Sequence, residues 1–597
     1  MEVLGMENSS FQMIDGKVII RIKDRICDNA DELLSSELFL RVFNRCITDL
    51  ERRNSRLLGI FEEKNITERD IQILLEALHF LTRLPGDLVP KVVDGSAQFF
   101  RDRVLFNDFV EYIYNYWRNL QRLIVCDSVG DHFDKRPYHT FNQTIEHLTH
   151  LVRSTYRDIQ ENITGNHPRI YRQVRAGAEV AAIALPREVQ YPTDYARKLA
   201  SISIIRQILI YPPLIYNSGT NVRTGMFERV DRNPLVNLTF NDRDWLCYPA
   251  KVGALIVMIY FSVQYFELNF SLCNLFELAD DEDIRRKPDA ILIFGAPRDN
   301  LPVVGNTRTV FYDDPVNDLL VGVIPDGKEF NYFGYLKKMA LTLHNIKMMK
   351  IGQMPYHGAM FELIIRDKGA YTFLLMGDTG AGKSETLEAM RTIGAEEVED
   401  LIIIADDMGS LQIDQKGGIT GYGTETGAFV RLDDLQPGYA FGQIDRTIIM
   451  NPNQTNARVV IPVTTFDNVS KGFKVDFVLY ANNYQPVDEK HPVLQRFETP
   501  EEALAVFREG AVMSKGTTST TGLVRTYFAN IFGPTQYQKL HDTLAEKYFQ
   551  AFFAEGAFVG QMRTQLGVPG MEHTGPELAA RYLLEMLKKR EPKPELQ

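Results

Sequence analysis

The sequence predicts a fold of the α + α/β class: a mainly helical domain over residues 1–285, followed by an α/β domain over residues 286–597. Three observations carry this. In the first part, apolar residues recur at helical spacing. From about Lys287, short β-type runs alternate with turns. One of those runs leads through a glycine-rich loop directly into a helix-forming segment. The 597 residues also exceed what one compact core holds, which independently implies two or more domains.

In the first part, DIQILLEALHFLTRL (70–84) sets Ile71, Leu74, Leu75, Leu78 and Leu81 on one helix face. HTFNQTIEHLTHLVRSTYRDI (139–159) does the same with Ile145, Leu148, Leu151 and Val152, and Asp70 and Thr140 are the expected caps. The longest apolar run, Val252–Val263, falls short of the about 20 residues a bilayer requires and ends at Gln264 and Glu267, so a buried helix or strand is expected. In the second part the β-type runs are AILIFG (290–295), TVFYD (309–313), LLVGVI (319–324), ELIIRD (362–367), YTFLLMG (371–377), LIIIAD (401–406), RTIIMN (446–451), RVVIPV (458–463) and FVLYAN (477–482). The segments 534–556 and 575–589 return to helical spacing.

The net charge of -12 and the pI near 5.6 disfavour nucleic acid or an anionic membrane as partner, because both demand a basic face. The five cysteines form no C-x-x-C pair and none follows Cys273, which argues against a disulfide framework or a thiolate zinc site. That usage, with an acidic N-terminal stretch unlike a signal peptide, gives a cytoplasmic protein as the expectation.

Residues 371–390 read YTFLLMGDTGAGKSETLEAM. Gly377, Asp378, Thr379, Gly380, Ala381, Gly382, Lys383 and Ser384 fit the phosphate-loop pattern G-x-x-x-x-G-K-[ST], between a β-run and a helix-former series. Glycines let successive backbone N–H groups face one anion, and the helix N-terminus adds partial positive charge. Lys383 would reach the β- and γ-phosphates of ATP, and the Ser384 hydroxyl would ligate the Mg²⁺ that the nucleotide carries. Further on, LIIIADDMGS brings Asp406 and Asp407 to the end of a β-run, where one carboxylate can bind the metal and the other orient it.

From about residue 290 to 570 the chain resembles the nucleotide-binding half of phosphoenolpyruvate carboxykinase of the ATP-using type. The loop itself, GDTGAGKSE with Glu385 after Ser384, is also similar to that of the HPr kinase family. FGYLKKMAL (333–341) resembles the carboxykinase G-E-x-K-K-x segment, whose second lysine, here Lys338, is implied as a Mn²⁺ ligand. MPYHGAMF (354–361) resembles the segment with the histidine ligand, here His357, and Asp407 matches the aspartate ligand. TETGAFVRLDDL (424–435) places Arg431 where the family has a lysine. NARVVIPV (456–463) places Arg458 at the arginine implied to contact the γ-phosphate, and 515–537 resembles the mobile lid together with the segment after it. A lysine ligates only as the neutral amine, so Lys338 would need a strongly lowered pKa.

The first 285 residues lack the family's T-G-R-S-P-K-D-K segment; NSGTNVRTGMFERV (217–230) is the nearest, with Arg223 or Arg229 as candidate carboxylate binders. The lid lacks the family's T-E-P-x-P-T-F pattern. The resemblance implies ATP-dependent conversion of oxaloacetate to phosphoenolpyruvate, CO₂ and ADP, with Mg²⁺ and Mn²⁺. Two other readings stand beside it. One is an HPr-kinase-like enzyme acting on a hydroxyl of a small molecule or protein, with Asp406 as general base. The other is an ATP-sensing regulator whose first part binds an acceptor or a protein partner.

Overall fold

The computed structural model describes residues 9–23, 26–63, 65–127, 137–219, 227–302, 309–394, 397–432, 435, 443–454, 457–514, 522–531 and 537–591. It is a mixed α/β protein with large mixed sheets. The chain forms two compact units, residues 1–186 with 203–214, and residues 187–202 with 215–597. The division therefore falls before the change of texture near Lys287, and residues 203–285, expected to be helical, carry strands. The reason is burial. Trp245–Val252 and Leu255–Ser262 are strands buried on both faces, so they read as unbroken apolar runs without the alternation that marks a half-exposed strand.

The first unit pairs a sheet with a helical layer. Its strands are β1 (Ser9–Ile14), β2 (Lys17–Ile22), β3 (Gln121–Cys126), β4 (Val180–Leu185) and β5 (Ser203–Ile210). Strands β2, β3 and β4 run parallel, with β1 and β5 antiparallel to their neighbours. The principal helices are α1 (Glu37–Arg52), α2 (Glu68–Leu81), α3 (Arg103–Asn119) and α4 (Pro137–Thr164). Helix α2 starts earlier than its periodicity implies: Thr67 is the N-cap, and Asp70 closes a capping box by accepting from the Thr67 backbone N–H. Thr140 lies inside α4 and does not cap it.

Strand β3 carries Arg122, 1% exposed, at the C-terminus of α3. Its guanidinium donates to the carbonyls of Trp117, Arg118 and Leu120 at 2.7–2.8 Å and to Gly177 O at 2.6 Å. It thereby satisfies helix-end carbonyls that have no partner in the helix ladder. Burial pulls the Arg122 guanidinium down to about 10, opposed by Glu179.

The second unit contains strands β6 (Trp245–Val252), β7 (Leu255–Ser262), β8 (Ala290–Ala296), β9 (Val310–Asp314) and β10 (Leu319–Pro325), side by side in the order β6-β7-β8-β10-β9. Helix α5 (Phe333–Lys350) follows. It is buried nearly all round, Lys337 included, so it is an interior helix and not an amphipathic cover.

A 9-stranded sheet comes next. Its centre is β11 (Met354–Ile365), whose first half pairs with β14 (Met408–Ile413) and whose second half pairs with β12 (Gly369–Met376) and β13 (Val398–Ala405). Strand β12 runs parallel to β19 (Phe477–Asn482), and β19 parallel to β21 (Phe558–Arg563). Strand β15 (Ile419–Gly423) pairs with β14, and β20 (Leu494–Arg496) with β21. Rings of Phe361, Phe373 and Phe477 stack along the sheet, with centroids 5.2 and 4.3 Å apart. Helices α6 (Lys383–Ile393) and α8 (Thr574–Lys588) close this core with Leu387, Met390, Leu583 and Leu587, and α7 (Gln538–Ala554) is a further helix of the unit. A small sheet joins β16 (Gly427–Arg431), β18 (Arg458–Pro462) and β17 (Ile448–Met450) in that order. Among the described residues no helix is long and apolar enough to cross a membrane.

Replacing Arg122 by Met keeps the apolar stem but leaves several buried carbonyls unpaired. The expected cost is about 3–5 kcal/mol, seen as a lower urea midpoint. An unchanged midpoint would mean that water replaces the guanidinium at those carbonyls.

Candidate functional site

The loop after β12 has the backbone that its glycines require. Gly380 and Gly382 adopt left-handed φ of 79° and 91°, and a Cβ at Gly382 would lie 2.6 Å from Thr564 Oγ1. The loop is braced from behind by residues just past the two parallel strands beside β12. Asn483, beyond β19, donates to Gly380 O at 2.8 Å, and Thr564, beyond β21, donates to Ala381 O at 2.7 Å. Lys383 opens α6 and folds back over the loop, donating to Gly377 O at 2.6 Å and Asp378 O at 3.2 Å. The N–H groups of Lys383 and Ser384 lie in the first turn of α6, outside the helix ladder, where a phosphate is best held. Ser384 is exposed, and Glu385 is half-buried beside it in the first turn.

Asp406 and Asp407 form the turn between β13 and β14. Asp407 is gripped from two sides: His357 Nε2 lies 3.0 Å from Oδ1, and Lys337 Nζ lies 2.8 Å from Oδ2. Lys337 is also 3.0 Å from Glu425 Oε1, and Glu425, fully buried, accepts from the Thr424 hydroxyl at 2.8 Å. Burial alone would lower the Lys337 ammonium, but Asp407 and Glu425 hold it well above its usual value. Burial likewise opposes ionisation of Asp407, yet Lys337 and His357 keep its carboxyl well below the usual range. Burial pushes Glu425 up to about 7, with Lys337 opposing and Asp407 adding to the rise. Asp406 is pushed up to about 6 by burial, against the pull of Lys337 and with the push of Asp407.

His357 sits on β11, 2% exposed. Its Nδ1 makes a short contact with Ala529 O. Phe528, Ala529 and Asn530 hold left-handed φ of 45°, 55° and 64° in succession, a costly backbone for non-glycine residues. A carbonyl oxygen only accepts, so Nδ1 carries a proton. Asp407 Oδ1 also only accepts, so Nε2 needs either a second proton or a cation shared with the carboxylate.

Lys338 is half-buried one residue after Lys337. Burial lowers its ammonium; the carboxylates of Asp407 and Asp378 oppose this, and the charges of Lys337 and Arg458 reinforce it. It therefore senses the phosphate loop, the aspartate pair and Arg458 together. Arg431 and Arg458 stand directly opposite each other on the antiparallel β16–β18 ladder. Like charges at such a position repel, an arrangement that an anion between them relieves. The Arg458 guanidinium lies 5.7 Å over the Phe429 ring, and Phe429 packs on Phe333 at the start of α5, one turn before Lys337 and Lys338.

The structure thus brings the loop, Lys338, Asp406, Asp407 and Arg458 into mutual influence, with His357 on Asp407 and Arg431 beside Arg458. Arg229 is exposed, with its guanidinium 5.7 Å over the Tyr537 ring. Arg223 and the lid residues 515–521 lie outside the described residues. Past the lid, Thr526 Oγ1 reaches Asp378 Oδ2 at 3.5 Å.

Sequence reasoning missed Lys337, Glu425, Asn483 and Thr564. Only Lys337 carried a signal, since the first lysine of the Lys337-Lys338 pair falls on the buried side of an apolar helix. Among the described residues no three His, Cys, Asp or Glu side chains converge to hold a metal. A metal at His357 and Asp407 would need an unusual third ligand; burial lowers the Lys338 ammonium, the direction that ligation by a neutral amine requires. No protein-family model matches the chain, and no curated protein does.

Gly382→Ala forces a Cβ into the left-handed region and against Thr564. The expected cost is about 1–3 kcal/mol, read as a lower melting temperature. An unchanged melting temperature would mean that the loop can hold its bracing with another backbone.

Proposed function

We propose that this chain transfers the γ-phosphoryl group of ATP, by a reaction of the phosphoenolpyruvate carboxykinase type. The observation that carries the proposal is the meeting of a phosphate loop with a buried carboxylate–imidazole pair, His357 and Asp407, whose contact is completed by either a proton or a cation. A hydroxyl kinase can work with the nucleotide's metal alone, whereas a second cation site suits a reaction that builds negative charge on a small organic acid.

In this reading Lys383 swings from the loop carbonyls to the β- and γ-phosphates. The N–H groups at the start of α6 hold the phosphate oxygens. Arg458 and Arg431 supply fixed planar charges to the moving phosphoryl group. Ser384, with Asp406 and Asp407, would hold Mg²⁺ on the nucleotide, and Lys338, His357 and Asp407 would hold Mn²⁺. When bound, the second metal would supply Lewis-acid stabilisation of a developing oxyanion. Lys337 keeps Asp407 ionised, and Ala529 keeps Nε2 of His357 aimed at it. Exclusion of water would fall to the lid.

A second reading rests on Asp406. A carboxyl near 6 is poised to accept a proton at neutral pH, as the general base of an HPr-kinase-like enzyme acting on a hydroxyl.

Two measurements separate these readings. In the first, oxaloacetate-dependent formation of ADP and phosphoenolpyruvate is followed with Mg²⁺ and Mn²⁺, and Lys383→Ala is expected to lower it about 10²-fold or more. ATP binding without any such product would overturn the carboxykinase reading, and an unchanged rate in the variant would remove the loop from the chemistry. The second is a pH profile with a hydroxyl acceptor. If Asp406 is the base it must be deprotonated, so kcat/KM falls as pH drops below about 6, and Asp406→Asn abolishes that limb along with most activity. A profile flat through pH 6 removes Asp406 from that role. ATP binding with no turnover of either acceptor class leaves the regulator reading.

A further inference from the structure

The helical layer of the first unit carries a row of arginines whose partners are all neutral. Arg118 lies in the last turn of α3, and Arg153 and Arg157 stand one turn apart on α4. All three reach the irregular segment 173–175 that follows α4. Arg157 Nη2 donates to Gln173 Oε1 at 3.4 Å, and Arg153 Nη1 donates to the same oxygen at 3.0 Å. Arg153 Nε donates to Val174 O at 2.8 Å, and Arg118 Nε donates to Arg175 O at 3.3 Å. Arg118 Nη1 adds the Asn115 amide oxygen at 2.9 Å. Each of the three side chains is half-buried, so part of it stays open to solvent.

Among the described residues no carboxylate lies within ion-pair distance of these guanidinia. Acids on the neighbouring turns are engaged elsewhere. Glu111 accepts from Asn115 and Tyr156, Glu161 from Tyr171 and His167, and Glu179 pairs with Arg175. Like charges one turn apart on a helix repel. Here Arg153 and Arg157 meet over one oxygen, as two guanidinia do over a carboxylate, but the oxygen belongs to a neutral amide. Burial raises the Tyr114 phenol, and Arg118, Arg153 and Arg157 all pull it back, so their charges converge on one stretch of α3. Fastening a segment to two helices does not demand this: neutral amides would bond the same carbonyls without the repulsion.

We propose that this row is a binding site for a small anion of the diphosphate class, held by the guanidinium forks of Arg118, Arg153 and Arg157. Arginine forks match phosphate oxygens in pairs. Charges set in a row, and not around a point, suit an elongated anion of two linked phosphates better than a single tetrahedral ion. Gln173 Oε1 holds the place of one anionic oxygen and yields it on binding. Arg157 stacks on Tyr171 at 4.3 Å, which fixes the plane of its fork while leaving the edge N–H groups for the ligand. The site is independent of the phosphoryl-transfer proposal, since every residue it uses belongs to the first unit.

The test is equilibrium dialysis of radiolabelled pyrophosphate against the full-length Lys383→Ala protein, in which the phosphate loop is weakened. Saturable binding is expected. Adding Arg153→Gln with Arg157→Gln should weaken it about tenfold or more, the worth of a charge-assisted hydrogen bond. Adding Arg101→Gln with Arg103→Gln removes the same charge from arginines already paired with Glu62 and Asp87, and should leave binding unchanged. Gln173→Glu places a carboxylate on Arg153 and Arg157. It strengthens the fastening of the segment and competes with the ligand, so binding should fall by a similar factor in a protein that melts no lower. This variant keeps the test decisive even if the arginine variant loses the segment. No saturable binding, equal weakening by both arginine pairs, or unaltered binding in Gln173→Glu would each overturn the proposal. Competition by ADP as strong as by unlabelled pyrophosphate supports it with a nucleotide as the source of the diphosphate; competition by pyrophosphate alone supports it with a free one.

Discussion

The ammonium of Lys337, shared by Asp407 and Glu425 in the interior of the second unit, is the interaction on which the candidate site depends. Two carboxylates this close and this buried could not both ionise without it. With it, Asp407 stays charged, while burial and the charge of Asp407 push Glu425 up to about 7 against the pull of Lys337, so Asp407 is the firmly ionised carboxylate of the pair. The same contact ties the interior helix α5 to the turn after β13 and to the segment after β15. A helix hydrophobic on every side thus has one fixed rotation against its sheets, and that rotation sends Lys337 to the carboxylates and Lys338 towards the loop and Arg458.

The loop depends on a second constraint, the shared edge of three parallel strands. Strands β19 and β21 end together, Asn482 opposite Arg563, two residues beyond the level at which β12 ends opposite Tyr480, so Asn483 and Thr564 stand beside the loop that leaves β12. Asn483 and Thr564 hold the loop carbonyls of Gly380 and Ala381 away from the anion side. The N–H side is then free to face a phosphate, which is why such loops sit at the carboxyl edge of an α/β sheet. The braces also leave no room for a Cβ at Gly382.

Strain is concentrated at the same place. Three successive left-handed residues, Phe528 to Asn530, carry the Ala529 carbonyl to His357. Packing of Phe528 against His541 and Phe549 holds that backbone in place. A histidine fixed at Nδ1 in this way presents Nε2 to Asp407 with little freedom to turn. The segment 526–530 thereby contacts both the imidazole and, through Thr526, the phosphate loop.

What the sequence by itself determined is local. The glycines, Lys383 and Ser384 between a β-run and a helix former specify strand, loop and helix, because each step is set by neighbours along the chain. The β-runs of the second part, such as YTFLLMG and FVLYAN, mark strands for the same reason. The partnerships of Lys337 with Glu425, Thr564 with Ala381, and His357 with Ala529 join residues far apart in the chain, and only the tertiary structure decided them. The division of the chain was also decided there. Strands β6 and β7, within the second unit, are buried on both faces and show no alternation, so in that stretch the sequence pattern cannot separate strand from helix. Hydrophobic patterning records which side of an element is wet. It cannot record which distant residue meets an element that is dry on every side.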